Sequence, residues 1–181
     1  MSLSMKAALL DRDGPLVIDK SYMGRPDLIE LSPGAIEGCK VLKEHGYALV
    51  MISNQSGVAR GKFTLEDMQQ VHNRVIELFR EAEIEFEGAY YCPHGPDENC
   101  ECRKPRPEMA LKAARELNLD LSQSILLGDK LSDIEFGKNA GCLYSILVGD
   151  KGGEGYTREG QNQPDYNART LKEAVAWVIS K

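Results

Sequence analysis

Short apolar runs alternate with helical patterns along this 181-residue chain, and that alternation limits the fold more than any other feature. The runs cover residues 7–10, 47–52, 88–91, 124–127 and 143–148. Between the first two, Ser32-Pro33 has the form of an N-cap followed by proline at the first helical position, with a stop at Gly46 after His45. Thr64 with Asp67 three residues on is a capping-box variant. Behind it, Met68, Val71, Val75, Leu78, Phe79 and Ala82 form one apolar stripe at helical spacing. Further helices are expected from Arg106-Pro107 to Leu117, from Ser132 to Gly141, and after Thr170, where Glu173 completes a capping box ahead of Leu171, Val175 and Val178. Strand and helix in strict alternation predict an α/β fold: a Rossmann-like parallel sheet covered by helices on both faces, with right-handed crossovers. Residues 15–32 form an irregular loop in this reading, and 149–164 a mobile surface loop rich in glycine, charge and amides. A single domain over 5–181 is expected. Met1–Ser4, ahead of a second methionine, resemble an added tag and stay outside the fold argument.

In such a sheet all strand C-termini face one edge, the usual place for a site. That edge collects Asp11, Asp13, Ser53, Asn54 and Asp129. The first run ends in Asp11-Arg12-Asp13-Gly14, where period-two alternation puts both acids on one side. A strand ending in a polar turn would look the same, so the pair alone decides nothing. Together the strand ends match what phosphate monoester hydrolysis demands: a nucleophile, a proton donor, a hard cation and phosphate-binding donors. Asp11 can attack phosphorus to form an aspartyl-phosphate. Asp13 can protonate the leaving oxygen and then deprotonate the attacking water. Mg²⁺ takes oxygen ligands, available from Asp11, Asp129 and the Asp13 carbonyl. Ser53 and the Asn54 backbone N–H can bind phosphate oxygens, and Lys104 can neutralise the transferring group.

The four segments Asp11-Arg12-Asp13-Gly14, Ser53-Asn54-Gln55, Lys104 and Gly128-Asp129-Lys130-Leu131-Ser132-Asp133 stand in the order and strand context of the haloacid dehalogenase-like phosphatases, which the chain resembles over nearly its whole length. The likeness adds Gln55 and Lys130 to the expected phosphate- and substrate-binding residues. There is no room for the large cap domain many relatives carry.

Five cysteines fit a disulfide framework poorly. Cys92, His94, Cys100 and Cys102 instead make a closed tetrahedral zinc set on one loop, with no open position for a substrate water, so a structural Zn²⁺ is expected. The loop leads straight into Arg103-Lys104 and would fix the direction of that lysine. Within the family such a loop resembles the subfamily of heptose bisphosphate and histidinol phosphatases. The stretch 54–63, with Asp19 and Tyr22, is more similar to the heptose side. That resemblance implies Mg²⁺-dependent removal of the C7 phosphate of D-glycero-D-manno-heptose 1,7-bisphosphate, for lipopolysaccharide-core or surface-heptose precursor synthesis. Histidinol phosphate is the alternative substrate; a receiver-like phospho-Asp domain and an inactive zinc-binding module are the more distant alternatives. Arg60, Lys62 and Arg103 can place cations near a second phosphate, though Arg60 and Lys62 read equally well as solvated charge. Asp133 can orient Lys104 or a metal-bound water, or simply favour the start of a helix through the dipole. One departure stands out: the family usually has Thr at Pro15, and the change removes a hydroxyl and a backbone N–H.

A net charge of −6 argues against a general nucleic-acid partner. No apolar run reaches the roughly 20 residues a membrane span needs, and no signal-peptide pattern is present. A cytoplasmic monomer acting on a small phosphorylated sugar is therefore expected.

Overall fold

The computed structural model describes residues 4–149 and 163–181. Six parallel strands run β1 (Ala7–Asp11), β2 (Ala48–Asn54), β3 (Gly88–Cys92), β4 (Ile125–Gly128), β5 (Tyr144–Val148) and β6 (Tyr166–Ala168), in the order β3-β2-β1-β4-β5-β6. Five helices connect or flank them: α1 (Ala35–Glu44), α2 (Leu65–Glu81), α3 (Glu108–Leu117), α4 (Leu131–Asn139) and α5 (Leu171–Ile179). No helix among the described residues is long and apolar enough to cross a membrane.

The apolar runs become strands because both sheet faces are covered. Ala8 and Leu10 of β1 pack with Leu42, Val75, Phe79, Leu171 and Val175 on one face. Ala7 and Leu9 pack with Met109, Ala110, Ala113 and Phe136 on the other. Alternate residues of one strand thus feed two cores, and a near-continuous apolar run results. β1 sits centrally, paired with β2 on one side and β4 on the other. The chain winds outward through β2 and β3, then crosses back to β4, so the strand order reverses beside β1. A crevice opens at such a reversal. Leu10 is in register with Leu127, which sets Asp11 beside the end of β4.

Thr64 caps α2 as the sequence predicts: its hydroxyl accepts from the Asp67 backbone N–H, and the Asp67 carboxylate accepts from the Thr64 N–H. Three details differ from expectation. α1 starts two residues later than Ser32-Pro33 implies, with Gly34 as N-cap. Ser32 instead donates its hydroxyl to the Gly14 carbonyl at 2.6 Å, tying the helix entry to the turn after β1. β6 was not expected, because three residues on a sheet edge are too short to display a period. His72 shares the buried face of α2, and no apolar pattern would put a histidine there. Of the loop expected over 149–164, residues 150–162 lie outside the described residues.

Candidate active site

The end of β1 delivers Asp11, and the end of β4 delivers Asp129. Two glycines let the chains close in. Gly14 has φ +105°, and a Cβ there would lie 2.7 Å from the Asp129 carboxyl carbon. A Cβ on Gly128 would lie 2.3 Å from Cβ of Asp133. Asp11, Asp129 and Asp133 each bring a carboxylate oxygen within 4.8 Å of the other two. Lys104 reaches in from the loop before α3, with Nζ 2.8 Å from Asp11 Oδ1 and 2.6 Å from Asp133 Oδ1. Its backbone is held by Asn54 in both directions: the Lys104 N–H donates to Asn54 Oδ1 at 3.1 Å, and Asn54 Nδ2 donates to the Lys104 carbonyl at 3.2 Å.

One buried lysine does not balance three carboxylates. Burial, then the charge of Asp133, pushes Asp11 well above its ordinary range, despite the pull of Lys104. Burial is also the main reason Asp129 is pushed up to about 6, with Asp133 and Asp19 adding to it against Lys130. For Lys104 burial works against the charged form, but Asp11 and Asp133 outweigh it and raise the ammonium above its usual range. Asp129 Oδ1 is buried with no hydrogen-bond partner among the described residues; the Lys130 ammonium stands 3.9 Å away. Buried excess negative charge and an orphaned carboxylate oxygen fit a hard divalent cation. Asp133 serves both roles weighed from the sequence. Its Oδ2 accepts from the N–H groups of Asp129 and Lys130 at the start of α4, while Oδ1 pairs with Lys104.

Asp13 is arranged differently. Arg12 forks onto it, Nε to Oδ1 at 3.1 Å and Nη2 to Oδ2 at 3.0 Å, and Gln55 Nε2 donates to Oδ2 at 2.9 Å. Burial raises this carboxyl, but Arg12 and Gln55 together hold it below the usual carboxylate range. Its side chain is thus engaged away from the three-acid cluster, which leaves the backbone carbonyl as what Asp13 can offer a metal. Pro15 presents no donor; the orientation of Asp13 comes from Arg12 and Gln55 instead. Arg12 was not among the residues singled out from the sequence. No sequence signal marks it, since a charged residue at a strand end ordinarily faces water.

Two cavities meet at Asp13. A small one, about 30 Å³, is lined by Asp11, Asp13, Asn54, Lys104, Lys130, Ser132 and Asp133. A larger cleft, about 320 Å³, is lined by Asp13, Asp19, Tyr22, Asn54, Gln55 and Lys130 among others. Asp19, Tyr22 and Lys130 therefore come together as the sequence implied, with Asp19 3.7 Å from the Lys130 ammonium. Lys62 lies over the ring of Tyr22, 5.9 Å from its centre, at the cleft edge. Ser53 is fully buried and lines neither cavity; its hydroxyl accepts from Gln55 Nε2 at 2.6 Å. Arg60 is exposed and also outside both. Arg103 lines a separate depression with Lys104 and Arg106, and donates to the His94 carbonyl at 3.1 Å.

That carbonyl belongs to the second cluster. Cys92, His94, Cys100 and Cys102 converge, with Cys92 Sγ 3.5 Å from both His94 Nδ1 and Cys100 Sγ. His94 Nδ1 is 3.3 Å from Cys102 Sγ, and the Cys100 and Cys102 sulfurs are 3.7 Å apart. Zinc–ligand bonds of about 2.3 Å to sulfur and about 2.0 Å to nitrogen give tetrahedron edges of roughly 3.5–3.8 Å. The four atoms are therefore spaced to fit one Zn²⁺ among them.

Comparison with known proteins agrees with this geometry. Residues 101–174 match the HAD-hydrolase-like family model. A D-glycero-beta-D-manno-heptose-1,7-bisphosphate 7-phosphatase of Yersinia pestis is 37% identical over 180 residues, 96% of this chain and 95% of that one. One from Helicobacter pylori is 44% identical over 79% of this chain and 83% of its own. The fold superposes on the crystal structure of D,D-heptose 1,7-bisphosphate phosphatase from B. bronchiseptica complexed with magnesium and phosphate. The TM-score is 0.87 at 29% identity, covering 97% of this chain and 99% of that chain. An acidic pocket at the strand reversal and relatives matching nearly end to end lead to one conclusion: this chain is a phosphoric monoester hydrolase and belongs to the haloacid dehalogenase-like family, among the heptose bisphosphate phosphatases.

Proposed function

We propose that the protein removes the C7 phosphate of D-glycero-D-manno-heptose 1,7-bisphosphate in a Mg²⁺-dependent reaction through an aspartyl-phosphate on Asp11. The observation that carries this reading is the pair of cavities sharing Asp13, Asn54 and Lys130. The small cavity is the place for the transferring phosphoryl group, against Asp11 and Lys104. The larger cleft has room for a sugar, with Asp19 and Tyr22 on its wall. The bond to be broken then lies beside Asp13.

In the first half-reaction Asp11 attacks phosphorus, the phosphorus–sugar oxygen bond breaks, and Asp13 gives a proton to that oxygen. In the second, Asp13 takes a proton from water as the water attacks phosphorus and frees Asp11. Lys104, fixed by Asp133 and Asn54, neutralises charge on the phosphoryl group. Asp11, Asp129 and the Asp13 carbonyl would hold Mg²⁺, with Asp133 at their side. Bound there, the ion would offset the repulsion between Asp11 and an anionic substrate. Cys92, His94, Cys100 and Cys102 would hold a structural Zn²⁺ that stiffens the loop carrying Arg103 and Lys104. Lys62 and Lys130 are the cations available to a second phosphate; Arg103, turned to the His94 carbonyl, is not. Residues 5–181 act as one domain in this reading, as a cytoplasmic monomer.

The test is phosphate release measured side by side on both anomers of the heptose bisphosphate, histidinol phosphate and simple sugar monophosphates. A kcat/KM highest for a heptose bisphosphate supports the reading. A preference for histidinol phosphate overturns the substrate assignment, and a phospho-aspartate that persists for minutes overturns hydrolysis as the function.

A further inference from the structure

Arg12 is buried and stands, in sequence, between two acids that do different work. Its residue exposure is 1%, it lines neither active-site cavity, and its ion-pair partner is the adjacent Asp13. Among the described residues its Nη1 has no hydrogen-bond partner. Nearby His72, whose charge Arg12 disfavours, has none on either ring nitrogen. Burying a guanidinium with one of its nitrogens unpaired is a poor way to stabilise a fold, and an apolar side chain of similar volume would often serve as well or better. Asp13, by contrast, keeps 19% of its side chain exposed, at the junction of the two cavities. The fork therefore stands behind the carboxylate, on the side away from substrate.

A carboxylate oxygen accepts about two hydrogen bonds. Asp13 Oδ2 already has two, from Arg12 Nη2 and Gln55 Nε2, whereas Oδ1 has one, from Arg12 Nε. Both oxygens are fixed in plane and only Oδ1 retains an open lone pair. We propose that Arg12 is a positioning residue for Asp13, and that its fork presents Oδ1 as the one atom that carries the proton in both half-reactions. This rests on the proton-shuttle role assigned to Asp13 above. Arg12 and Gln55 favour the ionised carboxylate, so Asp13 takes up a proton with the substrate; in the first half-reaction that proton leaves Oδ1 for the sugar oxygen as the phosphorus–oxygen bond breaks. In the second, a proton of the attacking water arrives at Oδ1 as the Asp11–phosphorus bond breaks.

Two variants and two substrates test it. Arg12→Met removes the fork; Arg12→Lys keeps a charge but cannot fork, so it also serves if the Met variant does not fold. An alkyl phosphate such as the heptose bisphosphate needs its leaving oxygen protonated, while p-nitrophenyl phosphate does not. In either variant kcat/KM for the alkyl ester should fall on the order of 10²-fold, the scale of positioned acid–base catalysis. That for p-nitrophenyl phosphate should change by less than about threefold, because the step it reports lacks a proton demand. The variants should also show a burst of nitrophenolate equal to the enzyme, since water attack on the aspartyl-phosphate still needs Oδ1. Equal losses on both substrates without a burst, or no loss in either variant, overturn the proposal. Asp13→Asn separates the two levels. If it is inactive on the alkyl ester while the Arg12 variants are normal, only the positioning role falls. If Asp13→Asn is itself fully active, the shuttle assignment falls with it.

Discussion

Among the described residues two clusters are suited to metal ions, and they are built in opposite ways. The thiolate–imidazole set lies within eleven consecutive residues, Cys92 to Cys102, at the end of an edge strand. The three-acid set joins the ends of β1 and β4, Asp11 being more than a hundred residues from Asp129. The first satisfies four soft ligands on one another, at spacings that leave no open position. The second is buried and gathers more negative charge than Lys104 can balance; burial first, and the neighbouring carboxylates after it, keep Asp11 and Asp129 above their ordinary ranges. A local closed set organises chain; a long-range, charge-frustrated set is prepared to bind and react. Lys104 links them, since its backbone leaves the zinc-type loop and its ammonium ends between Asp11 and Asp133.

That division predicts different failures. The largest effect is expected at the reactive cluster: Asp11→Asn should lower phosphate release to background while leaving the thermal midpoint unchanged or higher, because one buried like-charge contact is gone. A marked drop in stability would erase the contrast. Next, Cys102→Ser should behave in the reverse manner. The thermal midpoint should fall, and activity should decline on the order of tenfold to a hundredfold as Lys104 loses its anchor. Zinc content by atomic absorption and turnover at saturating Mg²⁺ check both, and full activity in a zinc-free, folded protein would remove the link between the clusters. A smaller effect concerns His72. Burial first, and Arg12 second, lower its pKa to about 4 from 6.5. The unfolded chain then binds a proton that the folded one refuses between those values, so stability is full above pH 6.5 and drops as pH falls toward 4. The scale is ~3 kcal/mol. His72→Leu should flatten that part of the stability–pH curve, and an unchanged curve would show that the imidazole charges without penalty. The smallest effect is expected at Pro15. With Asp13 held by Arg12 and Gln55, Pro15→Thr should alter kcat/KM by less than about twofold; a large gain would mean that a hydroxyl there completes the proton shuttle.

The same contrast explains what could be learned from the sequence. The zinc-type set was legible because its spacing is local and needs no fold. Asp11, Asp129 and Lys104 became legible once strand–helix alternation placed every strand end on one edge. Asp133 stayed between two roles because both require knowing that Gly128 lets α4 approach within contact; in the structure one oxygen does each. Arg12 escaped notice because a charged residue at a strand end ordinarily faces water, and only the three-dimensional turn shows it buried against Asp13. Ser32 looked like a helix cap for want of the Gly14 carbonyl, a partner eighteen residues away. Ser53 and Arg103 illustrate the remaining gap: motif position brings a side chain near a site, while the direction it takes is set by partners such as Gln55 and the His94 carbonyl.

The most direct test of the whole account is phosphorus NMR of the heptose 1,7-bisphosphate during turnover with Mg²⁺. The C7 phosphate resonance should disappear as inorganic phosphate grows, while the C1 phosphate resonance persists at full intensity, and Asp11→Asn should leave both unchanged. Loss of the C1 resonance, or release that continues in Asp11→Asn, would contradict an active site in which Asp11 takes the C7 phosphoryl group.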